Sequence, residues 1–332
     1  MSTAALDRLL AVLVAAQLGT GLLSLRAGTP STAPLFVVHG LLGGALLAAV
    51  LVKVRRSVPR AWAGRRWLAL AVALLLGLTT TAALAGGFVW VASGRILSLG
   101  PWTVLTLHVF AALALVPFAV IHLLPRRWRV IRPPRRPADR PLMSRRTALT
   151  ALAFGLVGLA TWAGAEALDR AAGGVRRFTG SRWLPDGGIP PATTFFGEGT
   201  QPLSRGEWRL RVHGAVDRSL ELSLDELAAL GESAREEVLD CTSGWALRTT
   251  WGGVPLASVL DAAGAAAEGI VTVRAVTGWY AALPMDEARG ALLATAVAGR
   301  PLPHGNGAPC RLVAPNRRGL EWVKWVTDVE VT

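Results

Sequence analysis

The stretch EVLDCTSGWALRTTWGGVPLASVL, residues 237–260, holds Cys241, one of the two cysteines of the chain. A single cysteine among apolar residues is most often a core residue. A disulfide with Cys310 stays open, but the segments between the two cysteines favour two separate elements. No CxxC pattern occurs, and His213 and His304 would complete a poor ligand set, which disfavours zinc. A lone thiolate could instead bind a soft metal whose other ligands come from a cofactor.

The segments on either side of this stretch alternate between strand and helix patterns. WRLRVHGAV (208–216) and IVTVRAV (270–276) alternate apolar and polar residues, as half-buried strands do. SLDELAAL (223–230) has a serine N-cap followed by apolar residues at helical spacing. Turns rich in glycine and proline occur at 252–253 and 301–309. From about residue 180 onward, the sequence therefore predicts an α+β domain.

The first half of the chain is much more apolar than the second. The 332 residues are 52% hydrophobic with a mean hydropathy of +0.42, and the excess lies before residue 168. It falls in five stretches, at 5–24, 34–54, 67–93, 103–124 and 147–168. Each is long enough to cross a hydrocarbon core of about 30 Å as a helix. The alternative, buried core helices, is disfavoured because five such runs with charged loops between them are hard to bury in a small domain.

The net charge of +13 is typical of nucleic-acid binding at first sight, but its distribution indicates a membrane. The basic residues concentrate in two loops that contain a single acid, Asp139. They are Lys53, Arg55, Arg56, Arg60, Arg65 and Arg66 in one loop, and Arg126, Arg127, Arg129, Arg132, Arg135, Arg136, Arg140, Arg145 and Arg146 in the other. This positive-inside pattern predicts a multi-pass protein of the cell membrane. The N-terminus and both basic loops would be cytoplasmic, and everything after residue 168 extracytoplasmic, with no nucleic-acid partner.

A basic linker precedes the fifth apolar stretch. PRRWRVIRPPRRPADRPLM (125–143) is rich in proline and arginine, which block helix continuation and keep the segment solvated. SRRTAL (144–149) resembles a twin-arginine export motif, which predicts the twin-arginine export machinery as a partner. The alternative is a simple orientation signal. Ala163-Gly164-Ala165 could be a cleavage site, but we expect the helix to stay as an anchor.

Residues from about 207 to 332 resemble the sulfite oxidase-type molybdopterin-binding domain. The segment 208–230 is similar to the opening strand and helix of that family, and 237–260 to its molybdenum-ligand segment. The segment 271–331 is similar to its C-terminal half almost throughout. NGAPCR (306–311) resembles the version found in periplasmic methionine sulfoxide reductases more than the HGxPxR version of sulfite oxidases. Several spaced motifs agree in order over more than a third of the chain.

The resemblance implies a molybdenum-molybdopterin cofactor and a set of residues that hold it. Cys241 would be the catalytic residue and supply one sulfur to molybdenum, with two more from the pterin dithiolene. The cofactor contacts would be Asn306, Arg311, Lys324, Thr277 and the backbone around Trp322 and Val323. Arginine suits an anionic phosphate through its forked donors, and lysine adds a point charge. Without the resemblance, surface strand charge would be the favoured interpretation of Arg311 and Lys324. Cys310 would be a buried apolar position.

Two departures from the family pattern bear on the reaction. Many members carry an Arg/Asn/His cluster near the start of the domain, where this chain has TTFFGEGTQP (193–202). Sulfite oxidases also hold the sulfite anion with an arginine a few residues after the cysteine. Here the arginine is shifted to Arg248. These differences favour a reductase over a sulfite oxidase.

Two histidines are expected at one depth of the membrane part. His39 follows Pro34 by five residues and His108 follows Trp102 by six. A rise of 1.5 Å per residue puts both about 8 Å inside the outer face, where they could ligate the iron of a haem b. The alternatives are packing or hydrogen bonding between helices, or a quinone site. His122 lies about 21 Å further in, on nearly the same face as His108, as in di-haem cytochromes.

A second haem would lack a histidine partner, because the second helix offers only Lys53 at the level of His122. One haem near the outer face is therefore the prediction. That depth is also what electron transfer to an external molybdenum domain requires.

The sequence predicts an N-terminal transmembrane α-helical bundle of about four helices plus one anchor helix, followed by an α+β sulfite oxidase-type molybdopterin domain. The boundaries are 1–124 for the four-helix membrane domain, 125–146 for the linker, 147–168 for the fifth helix and 169–332 for the catalytic domain.

The predicted function is membrane-bound oxygen-atom transfer at molybdenum, coupled to the quinone pool or another membrane electron donor. The expected substrate is a small-molecule or protein-bound oxide, such as methionine sulfoxide. The alternatives are sulfite-type oxidation and a non-catalytic, membrane-anchored binding module. A transporter has little support, because the spans carry almost no polar residues besides the histidines.

Overall fold

The computed structural model describes residues 2–124, 145–194 and 197–332 and divides into two compact units. The first unit comprises Met1–Ser24 and Pro30–Arg182, and the second comprises Leu25–Thr29 and Trp183–Thr332. Most of the predicted linker, residues 125–144, lies outside the described residues, as does Ser144 of the twin-arginine motif.

The described residues of the first unit form five long helices. Their bounds are Thr3–Ser24 (α1), Ala33–Ala63 (α2), Trp67–Ala92 (α3), Val104–Leu123 (α4) and Arg145–Ala171 (α5). All five are long and apolar enough to cross a membrane, in agreement with the five apolar stretches of the sequence. Two short strands, Ser98–Leu99 (β1) and Trp102–Thr103 (β2), pair between α3 and α4. Thr103 caps α4, its hydroxyl accepting the Thr106 amide at 3.1 Å.

The outer surface of this unit is apolar. In each of the five helices, no more than 22% of an apolar 18-residue window is buried within the protein. Leu68 is 80% exposed. The buried minority forms a small core that consists of Leu6, Leu13, Ala45, Leu46, Ala49 and Phe154. An apolar surface of this extent requires an apolar surrounding or a partner.

Helices α2 and α5 approach closely at glycines. A Cβ atom on Gly44 would lie 2.8 Å from the Cα of Gly158, and a Cβ on Gly158 would collide with the carbonyl oxygen of Leu41. Small residues at a helix crossing let two backbones come close enough for extensive van der Waals contact, which drives helix association in a membrane. By contrast, a Cβ on Gly155, less than one turn away on α5, would meet nothing within 4 Å.

We expect Gly158→Val to destabilise the first unit by about 1–3 kcal/mol, the usual cost of overpacking a close contact. The added side chain meets backbone rather than a movable side chain, so the helices must separate. Thermal unfolding of the full chain in mild detergent measures the change. Gly155→Val is the matched control, since it adds the same side chain to open space on the same helix. Equal melting temperatures for the two variants would contradict the prediction.

Within the first unit, the segment that follows α5 is held by ion pairs. Arg176 contacts Glu166 at 2.9 Å and Asp169 at 2.7 Å, and Arg182 contacts Asp169 at 2.9 Å. Arg182 also donates to the carbonyl oxygen of Trp90, at the end of α3, at 2.8 Å. These contacts tie the C-terminal end of α5 to the end of α3.

The described residues of the second unit form two β-sheets and three short α-helices. One sheet has the order β5-β4-β13-β8-β9, with bounds Leu220–Leu222 (β5), Leu210–Gly214 (β4), Val326–Val331 (β13), Ile270–Ala275 (β8) and Tyr280–Pro284 (β9). Strand β13 is central, parallel to β4 and antiparallel to β8.

The other sheet carries the cysteine segment. Its order is β11-β10-β7-β3, with β6 also paired to β7 and β12 to β10. The bounds are Arg182–Trp183 (β3), Ser233–Asp240 (β6), Trp245–Pro255 (β7), Leu292–Val297 (β10), Arg300–Pro301 (β11) and Arg311–Val313 (β12). The helices are Leu224–Ala229 (α6), Leu256–Ala263 (α7) and Met285–Arg289 (α8).

The local predictions for this unit are confirmed at three elements. Ser223 caps α6 in a full capping box with Glu226. In β4, Leu210 and Val212 are fully buried while Arg211 between them is exposed. In β8 the alternation is weaker, because Thr272 is only 9% exposed where it lies between strands β13 and β9.

Candidate active site

A tight turn between β6 and β7 presents the thiol of Cys241. The Cys241 amide donates to the Trp245 carbonyl at 2.8 Å, and the Gly244 amide donates to the Cys241 carbonyl at 2.9 Å. Gly244 has a φ of +100°, a backbone conformation that side chains with a Cβ rarely adopt. Residues Ser243, Gly244 and Trp245 therefore form the turn that places Cys241 directly after the end of β6.

Two donors face the sulfur of Cys241. The Ser243 amide lies 3.4 Å from Sγ, and the Thr193 hydroxyl lies 3.3 Å from it. The cysteine is 8% exposed. Both Cys241 and Cys310 are free thiols, so the disulfide alternative is not realised. Cys310 is fully buried, as predicted, and burial raises the pKa of its thiol.

A buried ion pair supports the backbone of the cysteine. Arg318 contacts the carboxylate of Asp240 at 3.2 Å, with exposed side-chain fractions of 3% and 2%. The same guanidinium nitrogen donates to the carbonyl oxygen of Cys241 at 3.2 Å. Gly319 follows directly, where a Cβ would lie 3.3 Å from the Cα of Cys241. The segment 318–319 therefore packs against the cysteine turn and holds it.

Cys241 lies in a cleft that brings together four of the predicted site residues. The lining comprises Pro191, Thr193, Thr194, Glu198, Leu239, Cys241, Thr242, Ser243, Trp245, Trp279, Arg311, Gly319, Leu320, Trp322 and Lys324. The predicted members among these are Cys241, Arg311, Trp322 and Lys324. The charged side chains besides the thiol are Arg311, Lys324 and Glu198.

Arg311 is a buried cation with spare hydrogen-bonding capacity. It is 3% exposed, and one terminal nitrogen donates to the Asn306 carbonyl at 2.9 Å. Its guanidinium carbon lies 5.5 Å from the ring centre of Trp251 and 5.9 Å from that of Trp322. Its Nε has no hydrogen-bond partner among the described residues. Burial lowers the pKa of Arg311 to about 10, so the site favours an anion beside it.

Lys324 lines the cleft and connects the loop of Thr193 with the loop of Gly305. Its ammonium donates to the carbonyl oxygens of Thr193 at 2.6 Å and Gly305 at 2.8 Å. Burial, and then the charge of Arg311, lower its pKa to about 8. Two cations near one another are each stabilised by an anionic group between them, which a cofactor phosphate would supply.

Three predicted contact residues do not line the cleft. Asn306 is 3% exposed, and its side-chain amide donates to the Pro190 carbonyl at 2.9 Å. Val323 is 1% exposed, and its carbonyl accepts the Leu312 amide. Thr277 is exposed and donates to Glu198 at 2.6 Å. Their roles as cofactor contacts stay predictions.

Sequence reasoning missed several residues of the cleft. Thr193 and Glu198 lie in the segment 193–202, where the family's usual cluster is absent, and Trp279 follows β8. The residues between Thr194 and Gly197 lie outside the described part of the chain. Trp245, four residues after Cys241, is the available signal in the sequence, because aromatic residues are frequent in ligand pockets.

The donor set of the cleft fits a molybdopterin cofactor. In the described part of the chain, no three His, Cys, Asp or Glu side chains cluster closely enough to hold a metal. Cys241 offers one soft sulfur, which suits a metal whose other ligands come from a cofactor. The orphaned Nε of Arg311 and the ammonium of Lys324 provide the charge that an anionic cofactor needs.

The affinity for an anionic cofactor is expected to fall as the pH rises through about 8, because Lys324 loses its proton there. The ammonium attracts phosphate and the neutral amine does not. Loss of cofactor can be followed from about pH 6.5 to about pH 9.5 by the fluorescence of the released pterin. Lys324→Gln should release cofactor at a rate that is nearly independent of pH. The same pH profile in Lys324→Gln and the wild type would contradict this role of Lys324.

The first unit brings the two predicted membrane histidines together. The rings of His39 and His108 lie 6.1 Å apart between centroids, at an interplanar angle of 86°. The Nδ1 of His39 lies 2.8 Å from the Thr20 hydroxyl, and that of His108 lies 2.7 Å from the Ala83 carbonyl. A Cβ on Gly87 would lie 3.1 Å from the His108 ring. Both rings are therefore oriented through Nδ1.

Lys53, which the sequence places at the level of His122, forms an ion pair with Asp7 of α1. This pairing connects α1 with α2 and gives the lysine a counter-charge within the first unit. It also accounts for an acid in an otherwise apolar helix.

Comparisons with known proteins match the part of the chain that carries the cleft. Residues 198–332 match the family described as oxidoreductase molybdopterin binding domain. The uncharacterized oxidoreductase YuiH of Bacillus subtilis (strain 168) is 33% identical over 130 residues, which cover 38% of this chain and 66% of the relative. The protein-methionine-sulfoxide reductase catalytic subunit MsrP of Xanthomonas campestris pv. campestris is 35% identical over 147 residues, which cover 38% of this chain and 45% of the relative.

A solved structure, the sulfane dehydrogenase SoxCD from Paracoccus pantotrophus, aligns with 24% identity over 40% of this chain and 39% of that chain, at a TM-score of 0.38. The chain spans between 45% and 66% of the length of the two curated relatives named above.

The C-terminal part of this chain belongs to the sulfite oxidase-type family of molybdopterin-binding oxidoreductase domains. The predicted family and fold class are thereby confirmed.

Proposed function

We propose that the chain is a membrane-bound, molybdopterin-dependent oxidoreductase that reduces S- or N-oxides, such as methionine sulfoxide. The observation that carries the proposal is the cleft itself, with one thiol, a buried arginine and a half-buried lysine on its wall. The relative named as a protein-methionine-sulfoxide reductase catalytic subunit supports the direction of the reaction. The electron source would be the quinone pool or another membrane donor.

When bound, the molybdenum-molybdopterin group supplies two-electron oxygen-atom transfer. Cys241 would hold the metal through its thiolate, whose charge the Ser243 amide and Thr193 hydroxyl stabilise. Arg311 and Lys324 would hold the anionic part of the cofactor. The indoles of Trp245, Trp279 and Trp322 line the cleft and limit the access of water to it.

Sulfite-type oxidation is the rival reaction, and the position of Arg248 weighs against it. Arg248 points outward from β7, where it lies 3.7 Å from Glu236 and over the ring of Trp183. It does not line the cleft, so it does not supply the anion-binding arginine that sulfite would need. A neutral oxide needs no such charge.

A location in the cell membrane is supported by the exposed apolar surface of the first unit. Trp62 and Trp67, at the adjoining ends of α2 and α3, are 65% and 57% exposed and stack edge to face at 5.3 Å. Tryptophans of this kind mark a membrane interface, and Arg65 and Arg66 lie between them in the sequence. We propose a cytoplasmic N-terminus, an extracytoplasmic catalytic domain and twin-arginine export.

We further propose that His39 and His108 ligate a haem b in the first unit. Their Nδ1 atoms are held by protein acceptors, an arrangement that fixes the tautomer of metal-bound histidines. When bound, the haem supplies one-electron transfer, which suits a donor to a two-electron site.

Either His39→Ala or His108→Ala is expected to remove the haem b absorption band, because each change takes away one of the two residues that would hold the haem. Molybdenum content should not change. Visible spectra and metal analysis of protein purified in mild detergent measure both. His213→Ala is the control, since His213 pairs with Asp328 on a strand of the second unit. A normal haem band in both single variants would refute the assignment.

The reaction itself is tested on protein purified in mild detergent and reduced with just enough dithionite. Oxidation of the haem band on addition of methionine sulfoxide would support the haem, the electron path and the reductive direction together. A haem band that stays reduced would count against methionine sulfoxide and lead to other oxides and to sulfite as donor. Absence of molybdenum in protein from a cofactor-competent host would favour the binding-module alternative.

A further inference from the structure

Glu198 is the acidic side chain that the described part of the cleft presents. The charged side chains of its lining are Arg311, Lys324 and Glu198. Arg311 is buried and Lys324 is half-buried, and both are suited to the anionic cofactor. Glu198 is half-buried and forms no ion pair within the described residues, although its charge acts on both cations. With both cations engaged by the cofactor, the carboxylate of Glu198 would be the charge that an incoming substrate meets.

This carboxylate is connected to Trp279 through the hydroxyl of Thr277. The Thr277 hydroxyl donates to Oε1 of Glu198 at 2.6 Å and lies 3.4 Å from the amide of Trp279. The Trp279 indole is fixed in turn by its Nε1, which donates to the Leu320 carbonyl at 3.0 Å. Glu198, Thr277 and Trp279 thus form a connected group, two members of which line the cleft.

We propose that Glu198 and Trp279 form a cation subsite, so that the cleft selects oxides whose molecule also carries an ammonium or guanidinium group. A carboxylate and an indole that line the same cleft both favour such a cation. The same carboxylate repels anions, including sulfite and substrates flanked by acidic residues. This inference rests on the proposed reduction of oxides and specifies the substrate class for it.

Local and general electrostatics can be distinguished by substitution. The +13 charge of the chain lies in the two basic loops before residue 168, whereas residues 169–332 carry 17 basic and 19 acidic side chains. A preference that one substitution removes comes from a local group. That preference should weaken as salt is added, since the subsite is partly exposed.

The test compares three acetylated, amidated tripeptides with methionine sulfoxide in the centre and lysine, glutamine or glutamate on both sides. We expect the wild-type holoenzyme to favour the lysine peptide over the glutamate peptide in kcat/KM by about fivefold, the effect of one partly exposed ion pair. Glu198→Gln should bring this ratio close to one, because glutamine still accepts from Thr277 but carries no charge. Glu207→Gln, at an exposed acid outside the cleft, should leave the ratio unchanged.

Isothermal titration of the same peptides to the holoprotein provides a readout that does not need turnover. If no peptide is reduced but the lysine peptide still binds best and Glu198→Gln abolishes that preference, the proposed reaction fails and the cation subsite stands. If the peptides are reduced with equal kcat/KM and bind equally, the subsite is wrong and the proposed reaction stands. A preference for lysine that survives in Glu198→Gln would also overturn the subsite.

Discussion

Cys241→Ala is expected to lower turnover by more than about 100-fold, since even the outer partners of metal ligands typically cost ten- to a hundredfold. Alanine removes the one sulfur that the cleft offers, and the Ser243 and Thr193 donors then face an apolar methyl group. Pterin content should fall less than molybdenum content, because Arg311 and Lys324 are unchanged. Activity and both cofactor contents, measured on the same preparation, separate loss of the metal from loss of the fold.

Cys310→Ala is the matched control for this experiment. The thiol of Cys310 is fully buried, and burial raises its pKa, so it stays protonated and is a poor metal ligand. The substitution should cost about 1 kcal/mol of stability through lost packing and should leave molybdenum in place. Unchanged activity in Cys241→Ala, or equal losses in the two variants, would remove Cys241 from the role of ligand.

Asp240→Ala is expected to destabilise the second unit by about 3–5 kcal/mol, the usual cost of breaking a buried ion pair by removing one partner. Arg318 is 3% exposed and would retain a charge without its carboxylate. The same guanidinium also holds the Cys241 carbonyl, so the cysteine turn should loosen as well. Thermal unfolding of the full chain measures the stability, and molybdenum content reports the effect on the turn.

The exposed pair between Arg248 and Glu236 provides the comparison. Its charged atoms lie 3.7 Å apart, and its side chains are 48% and 66% exposed. Glu236→Gln should change the stability by less than about 1 kcal/mol, because exposed pairs contribute little. If Asp240→Ala proved as mild as Glu236→Gln, the buried pair would not be what supports the cysteine turn.

The elements that sequence could predict are those whose signal is local. Helices α1 to α5 follow from long apolar runs, and the start of α6 follows from Ser223 and Glu226 three residues apart. The position of Cys241 followed from a resemblance rather than from physics. The residues that follow Cys241 form a turn. By sequence alone, this turn could equally belong to a structural hairpin with a buried cysteine.

The parts that could not be predicted depend on contacts between distant segments. Asp240 pairs with Arg318, which lies 78 positions away. No local sequence pattern around either residue predicts this contact. Thr193 reaches Cys241 because Lys324 holds its carbonyl from 131 positions away. Glu198 lies in the segment that departs from its family's pattern, so the resemblance gave no position for it. Periodicity describes one element at a time and says nothing about which loops converge.

The central position of β13 has a consequence for the biosynthesis of the domain. Val326–Val331 separates β4 from β8, and every other strand of that sheet precedes it in the chain. Until the ribosome has released this segment, two strand edges stay open and vulnerable to wrong pairing. Lys324, two residues before β13, reaches its place at the same late moment. This sheet can therefore be completed only after translation of Val326–Val331.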